Sequence, residues 1–99
     1  MGTDKSVSAG KYVYLKYVGH IAVMTGRIRE AVSLEGIHVI SDLISRLDVK
    51  YPGLKEVFMP TGGVFNSRTA IICRRSGQAS FSLIDEKAPL ENGDILTFW

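Results

Sequence analysis

The sequence predicts an α+β domain: a small mixed sheet with one main helix packed diagonally across one face. Three observations predict it. Apolar and polar residues alternate in the first third of the chain and again toward its end, the two-residue period of strands. Between them lies one stretch, Val39 to Tyr51, whose apolar positions fall three and four residues apart. A single helix has to bury its stripe against a sheet, and a small sheet has only one such face to offer it.

Each element can be justified in turn. Lys11 to Val18 is rich in aromatic and β-branched residues and reads as a strand. Val13, Leu15 and Tyr17 share its core face; Tyr12, Tyr14 and Lys16 share the other. Gly19 ends the strand, His20 to Thr25 reads as a loop around an apolar patch, and Gly26 closes that loop. Arg27 to Leu34 alternates again, with Ile28, Val32 and Leu34 in phase, so the two strands form a hairpin. Glu35-Gly36 is a turn. In the helix, Ile40, Leu43, Ile44, Leu47 and Tyr51 form the apolar stripe, with Asp42 in the first turn and Lys50 in the last, as the helix dipole favours. Pro52-Gly53 stops it. Leu54 to Phe58 has room for one further turn. Pro60 to Gly63 and Asn66-Ser67 are loop punctuation, and Thr69 to Cys73 is a nearly all-apolar strand of the kind buried on both faces. Ser76-Gly77 and Asn92-Gly93-Asp94 are turns that bracket a short strand at Ala79 to Leu83, a loop at Asp85 to Pro89, and, beyond the second turn, a last strand at Ile95 to Trp99. The order is ββαβββ. If the first and last strands lie side by side they run parallel, which gives a β-grasp, or ubiquitin-like, roll. Residues 1–10 read as a flexible leader and 11–99 as the domain.

Composition narrows the function classes. Hydrophobic residues make up 45% and charged residues 22% of the 99, which excludes a disordered polar chain and a collagen-like one. A single cysteine, Cys73, excludes a disulfide framework, a zinc ribbon and a cysteine-held iron–sulfur cluster. The N-terminus lacks an apolar core of signal-peptide length, and no apolar run spans a bilayer, so a cytoplasmic protein without a membrane partner is expected. Net charge is only +2, and the tightest basic pair, Arg74-Arg75 with Arg68 upstream, reads as a solvated strand end rather than a nucleic-acid site.

Catalytic chemistry finds no foothold. Cys73 ends an apolar strand and reads as a small buried hydrophobe. His20 and His38 have no second ligand at helical or hairpin spacing. Asp85, Glu86 and Asp94 sit in hydrophilic turns, where bonding to the local backbone explains them. Pro60-Thr61-Gly62-Gly63 lacks the lysine and the strand-to-helix context of a phosphate loop. No enzyme, metal or cofactor is expected. The residues alone argue for a binding domain.

Several segments then resemble one family. Val13 to Gly26 resembles the opening strand, apolar loop and glycine of the ubiquitin-like sulfur carriers. Val39 to Ile44 resembles the start of their helix, and Tyr51-Pro52-Gly53-Leu54 the motif after it. Ala88-Pro89-Leu90-Glu91-Asn92-Gly93-Asp94-Ile95-Leu96-Thr97-Phe98 resembles their Pro-Leu-x-Asp/Glu-Gly-Asp-x-Val-x-Phe run. The resemblance covers residues 11–99 and is nearest to the small subunit of molybdopterin synthase, with the thiamine sulfur carrier more distant. It implies a role in sulfur transfer for molybdopterin cofactor biosynthesis, with a protein partner: an activating enzyme or a large-subunit-like protein. In that family the chemistry belongs to a terminal Gly-Gly that becomes a thiocarboxylate. No Gly-Gly follows Trp99, and Gly62-Gly63 cannot stand in, because three expected strands follow it. The alternative is a tail-less ubiquitin-like interaction module. In either case the candidate partner surface is the sheet face opposite the helix, with Tyr12, Tyr14, Phe81 and Trp99 as its aromatic anchors.

Overall fold

The alternation of the first segment becomes strand β1, Tyr12–Tyr17, which buries Val13, Leu15 and Tyr17 and leaves the residues between them exposed. A computed structural model describes residues 10–61 and 64–99 of the chain. Residues 1–9 of the expected leader and the Gly62-Gly63 pair lie outside the described residues. β1 is followed by a six-residue helix, α1, His20–Thr25, where the sequence predicts a loop. Gly19 and Gly26 bound it, and the Thr25 hydroxyl back-bonds to the Ile21 carbonyl at 3.1 Å, so the apolar patch is wound onto the core as a turn of helix.

Strand β2, Arg29–Ser33, pairs antiparallel with β1, as a hairpin requires. The main helix, α2, runs Ile40–Lys50 and buries Ile40, Leu43, Ile44 and Leu47. Its start is fixed twice. Asp42 Oδ2 accepts the His38 and Val39 N–H groups at 2.9 and 3.1 Å, which holds that carboxyl below its ordinary range. The Ile40 and Ser41 N–H groups are taken by the carbonyls of Ala88 and Glu86, so the loop before the last strand satisfies the free donors of the first turn. At its other end Gly53, at φ +98°, makes the turn that an L-residue resists. Asp48 Oδ1 accepts the N–H groups of Gly53 and Lys55 and thereby caps helix α3, Leu54–Phe58.

Strands β3 (Ile71–Arg74), β4 (Phe81–Ser82) and β5 (Ile95–Phe98) complete a five-stranded sheet of order β2-β1-β5-β3-β4. β1 and β5 run parallel at its centre, with Leu15 opposite Leu96 and Tyr17 opposite Phe98. The other pairings are antiparallel. This is the β-grasp architecture that element order implied. All three helices cover one face. The fully buried Leu15, Leu96, Phe98, Ile71, Ile40, Leu43, Leu47, Leu54 and Phe58 meet between the layers, each worth about 1.5–3 kcal/mol. The Phe58 ring meets Phe98 edge-on at 5.4 Å. β3 departs from expectation in one respect. Only Ile71 and Cys73 are buried, while Ile72 turns to the uncovered face, because helices pack on one side alone.

Candidate partner-binding surface

Strand parity sets the uncovered face. β1 turns Tyr12, Tyr14 and Lys16 outward because Val13, Leu15 and Tyr17 take the core. In β5, Leu96 and Phe98 point to the helices, so Ile95 and Thr97 point away. Cross-strand register then lines up two rows. One runs Ala31, Tyr14, Ile95, Arg74; the next runs Arg29, Lys16, Thr97, Ile72, Ser82. Trp99 exchanges two backbone hydrogen bonds with Ala70 and extends the same face beyond β5. Tyr12 and Tyr14 on β1 are 40% and 50% exposed and Trp99, just beyond β5, is 54% exposed, which is high for aromatic side chains whose backbone is hydrogen-bonded into a sheet. Ala31 has only a methyl group, so a shallow hollow of about 490 Å³ opens there, lined in part by Tyr14, Lys16, Arg29 and Ile95.

Phe81, the fourth anchor expected on this face, lies elsewhere. Its register partner is Cys73, a core residue, so the ring faces the helix side, half-buried against the core. The Arg75 guanidinium sits 5.1 Å from its ring centroid. A two-residue strand has no alternation from which parity could be read. The residues that join the three remaining anchors instead are Lys16, Ile95, Ile72, Arg29 and Arg74. Of these the sequence pattern assigns only Lys16 to this face, by its spacing from Tyr12 and Tyr14.

The strand residues of this face carry three cations, Lys16, Arg29 and Arg74, and no carboxylate. The carboxylates that could have neutralised them are turned inward and used. Glu30 faces the helix side, where Oε1 accepts the Tyr17 and Tyr51 hydroxyls at 2.8 and 2.6 Å and Oε2 pairs with Lys50. Burial pushes its pKa up, but the bonds from Lys50, Tyr51 and Tyr17 outweigh burial and hold it below the ordinary value. Asp94 is only 1% exposed. It accepts Arg75 Nε at 2.9 Å, Arg75 Nη2 at 2.7 Å and the Glu91 N–H at 2.9 Å. Burial again opposes ionisation, and the Arg75 fork overrides it. Asp94 is thus a buried half of an ion pair as well as a turn residue. Arg75, also bonded to the Pro89 carbonyl and Glu91, is withdrawn from the basic cluster that the sequence suggests.

Cys73 is fully buried, and burial followed by the Asp94 charge pushes its thiol up to about 11, the opposite of an activated thiolate. Among the described residues no group of three His, Cys, Asp or Glu side chains is placed to hold a metal ion. Among them, too, no helix is long and apolar enough to cross a membrane.

No family model matches the chain, and no curated protein matches it. Solved structures do. The chain is similar to a Pyrococcus furiosus protein described as molybdopterin converting factor, subunit 1, with a TM-score of 0.64 at 18% identity over 89% of this chain and 94% of that one. It is similar to small archaeal modifier protein 1 from Haloferax volcanii, with a TM-score of 0.64 at 20% identity over 90% of this chain and 95% of that one. It is also similar to small archaeal modifier protein 1 from Methanosarcina acetivorans, with a TM-score of 0.64 at 19% identity over 90% and 91% of the two chains. What the chain shares with them is the β-grasp fold over nearly the whole of each.

Proposed function

We propose that this chain is a ubiquitin-like protein of the sulfur-carrier and modifier type, and that it works by docking a partner protein on its uncovered sheet face. The observation that carries the reading is the exposure of Tyr12 and Tyr14 on β1 and of Trp99 just beyond β5 on one sheet face, with Ile95 and Ile72 between Tyr14 and Trp99 and cations around them. Rigid aromatic side chains surrounded by polar groups are the usual anchors of an interface, and they lose little conformational entropy when covered. The cations fit a partner surface with acidic residues around an apolar centre. The partner classes are an adenylating, activating enzyme and a large-subunit-like enzyme that receives sulfur. The finer role is sulfur transfer for molybdopterin cofactor biosynthesis. It is supported by the run Pro89 to Phe98 and by the likeness to a molybdopterin converting factor subunit.

The test is titration calorimetry against the purified activating enzyme and the large-subunit-like protein of the same organism. The Tyr14→Ser/Trp99→Ser double variant should keep the wild-type melting temperature within about 3 °C, since both side chains project into solvent. It should lose at least about tenfold in affinity, as expected when two anchors are removed. Unchanged affinity would remove this face from the interface. Intact mass after incubation with the activating enzyme, ATP and a sulfur donor separates a carrier, which gains an adenylate (with loss of pyrophosphate from ATP) or, once the donor's sulfur displaces AMP, a thiocarboxylate, from an interaction module, which keeps its mass.

A further inference from the structure

The outer edge of β2 is a second feature, distinct from the sheet face. In the β1·β2 ladder the Tyr17 N–H bonds to the Ile28 carbonyl and the Leu34 N–H to the Lys11 carbonyl. Antiparallel ladders alternate, so 13/32 and 15/30 are the bonded pairs within the strands, and 12/33, 14/31 and 16/29 are not. The β1 residues of the second set agree by bonding the other way: the Tyr14 N–H goes to the Asp94 carbonyl and the Gly93 N–H to the Tyr12 carbonyl. The backbone groups of Arg29, Ala31 and Ser33 therefore point off the sheet. β2 has β1 as its only neighbour in the sheet, and among the described residues no hydrogen bond reaches those edge groups. The opposite edge strand, β4, is only two residues long and too short to act as a template.

Side chains along the β2 edge are sorted by face. On the uncovered side stand Arg29, with Lys16 beside it in register, then Ala31 and Ser33. On the helix side stand Glu30, whose carboxylate is taken by Tyr17, Tyr51 and Lys50, and the half-buried Val32 and Leu34. Edge strands are commonly protected by charge, and these cations discriminate by sign. A second copy pairing along β2 would bring a second set of the same cations to one edge. An acidic chain would be attracted.

We propose that the β2 edge accepts an extended acidic peptide segment of a partner protein as a sixth strand. One of its carboxylates would lie beside Arg29, with the charge of Lys16 one strand further in on the same face, and its intervening apolar side chains beside Val32 and Leu34. The backbone groups of Arg29, Ala31 and Ser33 supply affinity, and the two faces supply sequence preference.

The probe is an acetylated, amidated eight-residue peptide alternating Glu and Val, followed by amide hydrogen exchange of the whole chain. At saturation, exchange at the Ala31 and Ser33 amides should slow at least about tenfold, because these donors become bonded only by strand addition. The same peptide with Lys in place of Glu should bind at least about tenfold more weakly, and Arg29→Glu should weaken the Glu peptide at least about fivefold. Ala31→Pro deletes a donor that the native ladder does not use and should abolish binding. Should that variant fail to fold, a peptide N-methylated at alternate residues tests the same bonds from the other side. Binding with unchanged Ala31 and Ser33 exchange would overturn the proposal in favour of docking on the open face. Protection of those amides that grows with protein concentration and without peptide would overturn it in favour of a second copy. No binding at millimolar peptide would overturn it outright. Trp99→Ser should leave peptide binding unchanged, so this edge and the aromatic face fail or stand separately.

Discussion

Replacing Arg75 with methionine leaves Asp94 with its carboxylate out of water and one backbone donor, the Glu91 N–H at 2.9 Å. The wild-type pair is bidentate at 2.9 and 2.7 Å, with Asp94 1% exposed and the Arg75 side chain 12% exposed. Removing one member of such a buried pair costs about 3–5 kcal/mol. The lost stacking on Phe81 falls within that range. For a domain whose whole stability is on the order of 5–15 kcal/mol this is a large fraction, and it should lower the melting temperature by at least about 12 °C. Urea denaturation at pH 7 measures it directly. The pH dependence gives the sign. Asp94 is held below its ordinary value of 3.8 in the folded protein, so its contribution is complete above that pH and is lost as pH falls through the depressed value. Without Arg75 the buried carboxyl titrates upward instead, and protonation relieves the variant. The two stability curves should therefore converge between neutrality and pH 4. Asp94→Asn should cost less in the Arg75→Met background than in wild type, a coupling of at least about 1 kcal/mol. An Arg75→Met variant within about 1 kcal/mol of wild type at pH 7, with parallel pH curves, would refute the reasoning.

Four further outcomes are expected. Glu30→Gln should destabilise by about 1–3 kcal/mol at neutral pH, because two tyrosine hydroxyls lose a charged acceptor. Lys50→Met should cost less than about 1 kcal/mol, since the Lys50 side chain is 50% exposed; urea titration of both variants checks the order. Cys73 should resist a disulfide reagent at pH 8 in the folded state and react at the unfolding rate once urea is added, as its burial and raised thiol pKa of about 11 require. Gly53→Ala should lose about 1–2 kcal/mol by thermal melting, all of it backbone strain at φ +98°, because an added Cβ meets nothing nearer than Met24 Cε at 3.6 Å.

Residue pattern was sufficient wherever an element was long enough to show its period. β1 alternates over six residues and α2 repeats over eleven, and both lie on the expected face. The parallel pairing of the end strands was only a condition in the sequence, since element order does not choose strand neighbours; the register of Tyr14 to Tyr17 against Ile95 to Phe98 supplies it. Short elements defeated the same reasoning. His20–Thr25 makes too few turns to show a helical stripe, and Phe81 takes its face from Cys73 across the ladder rather than from its own neighbours. The polar network was out of reach for another reason. Glu30 meets Tyr17, Lys50 and Tyr51 across separations of 13, 20 and 21 residues, and Arg75 meets Asp94 across 19. Glu30 shares the parity of Val32 and Leu34, so its core-facing position was visible, but nothing local marks where its partners come from. Of the four aromatic residues, Tyr12, Tyr14 and Trp99 share the uncovered face, with Trp99 four residues along the strand direction from Tyr14, and the cations of that face emerge only once the strands are in register.

The parallel contact between β1 and β5 also bears on how the protein is made. The two strands at the middle of the sheet come from opposite ends of the domain, so the pairing that joins its two halves spans nearly the whole of it. Such contacts reward the chain only after the entropy of closing the loop has been spent, which slows folding. While residues 95–98 are still being added, the β1·β2 hairpin has no neighbour on its inner side, and Val13, Leu15 and Tyr17 lack Leu96 and Phe98. A nascent chain in that state shows apolar surface and an unpaired strand to its surroundings. The order of synthesis therefore leaves the centre of the sheet until last: the domain acquires its core only when the ribosome has passed Phe98.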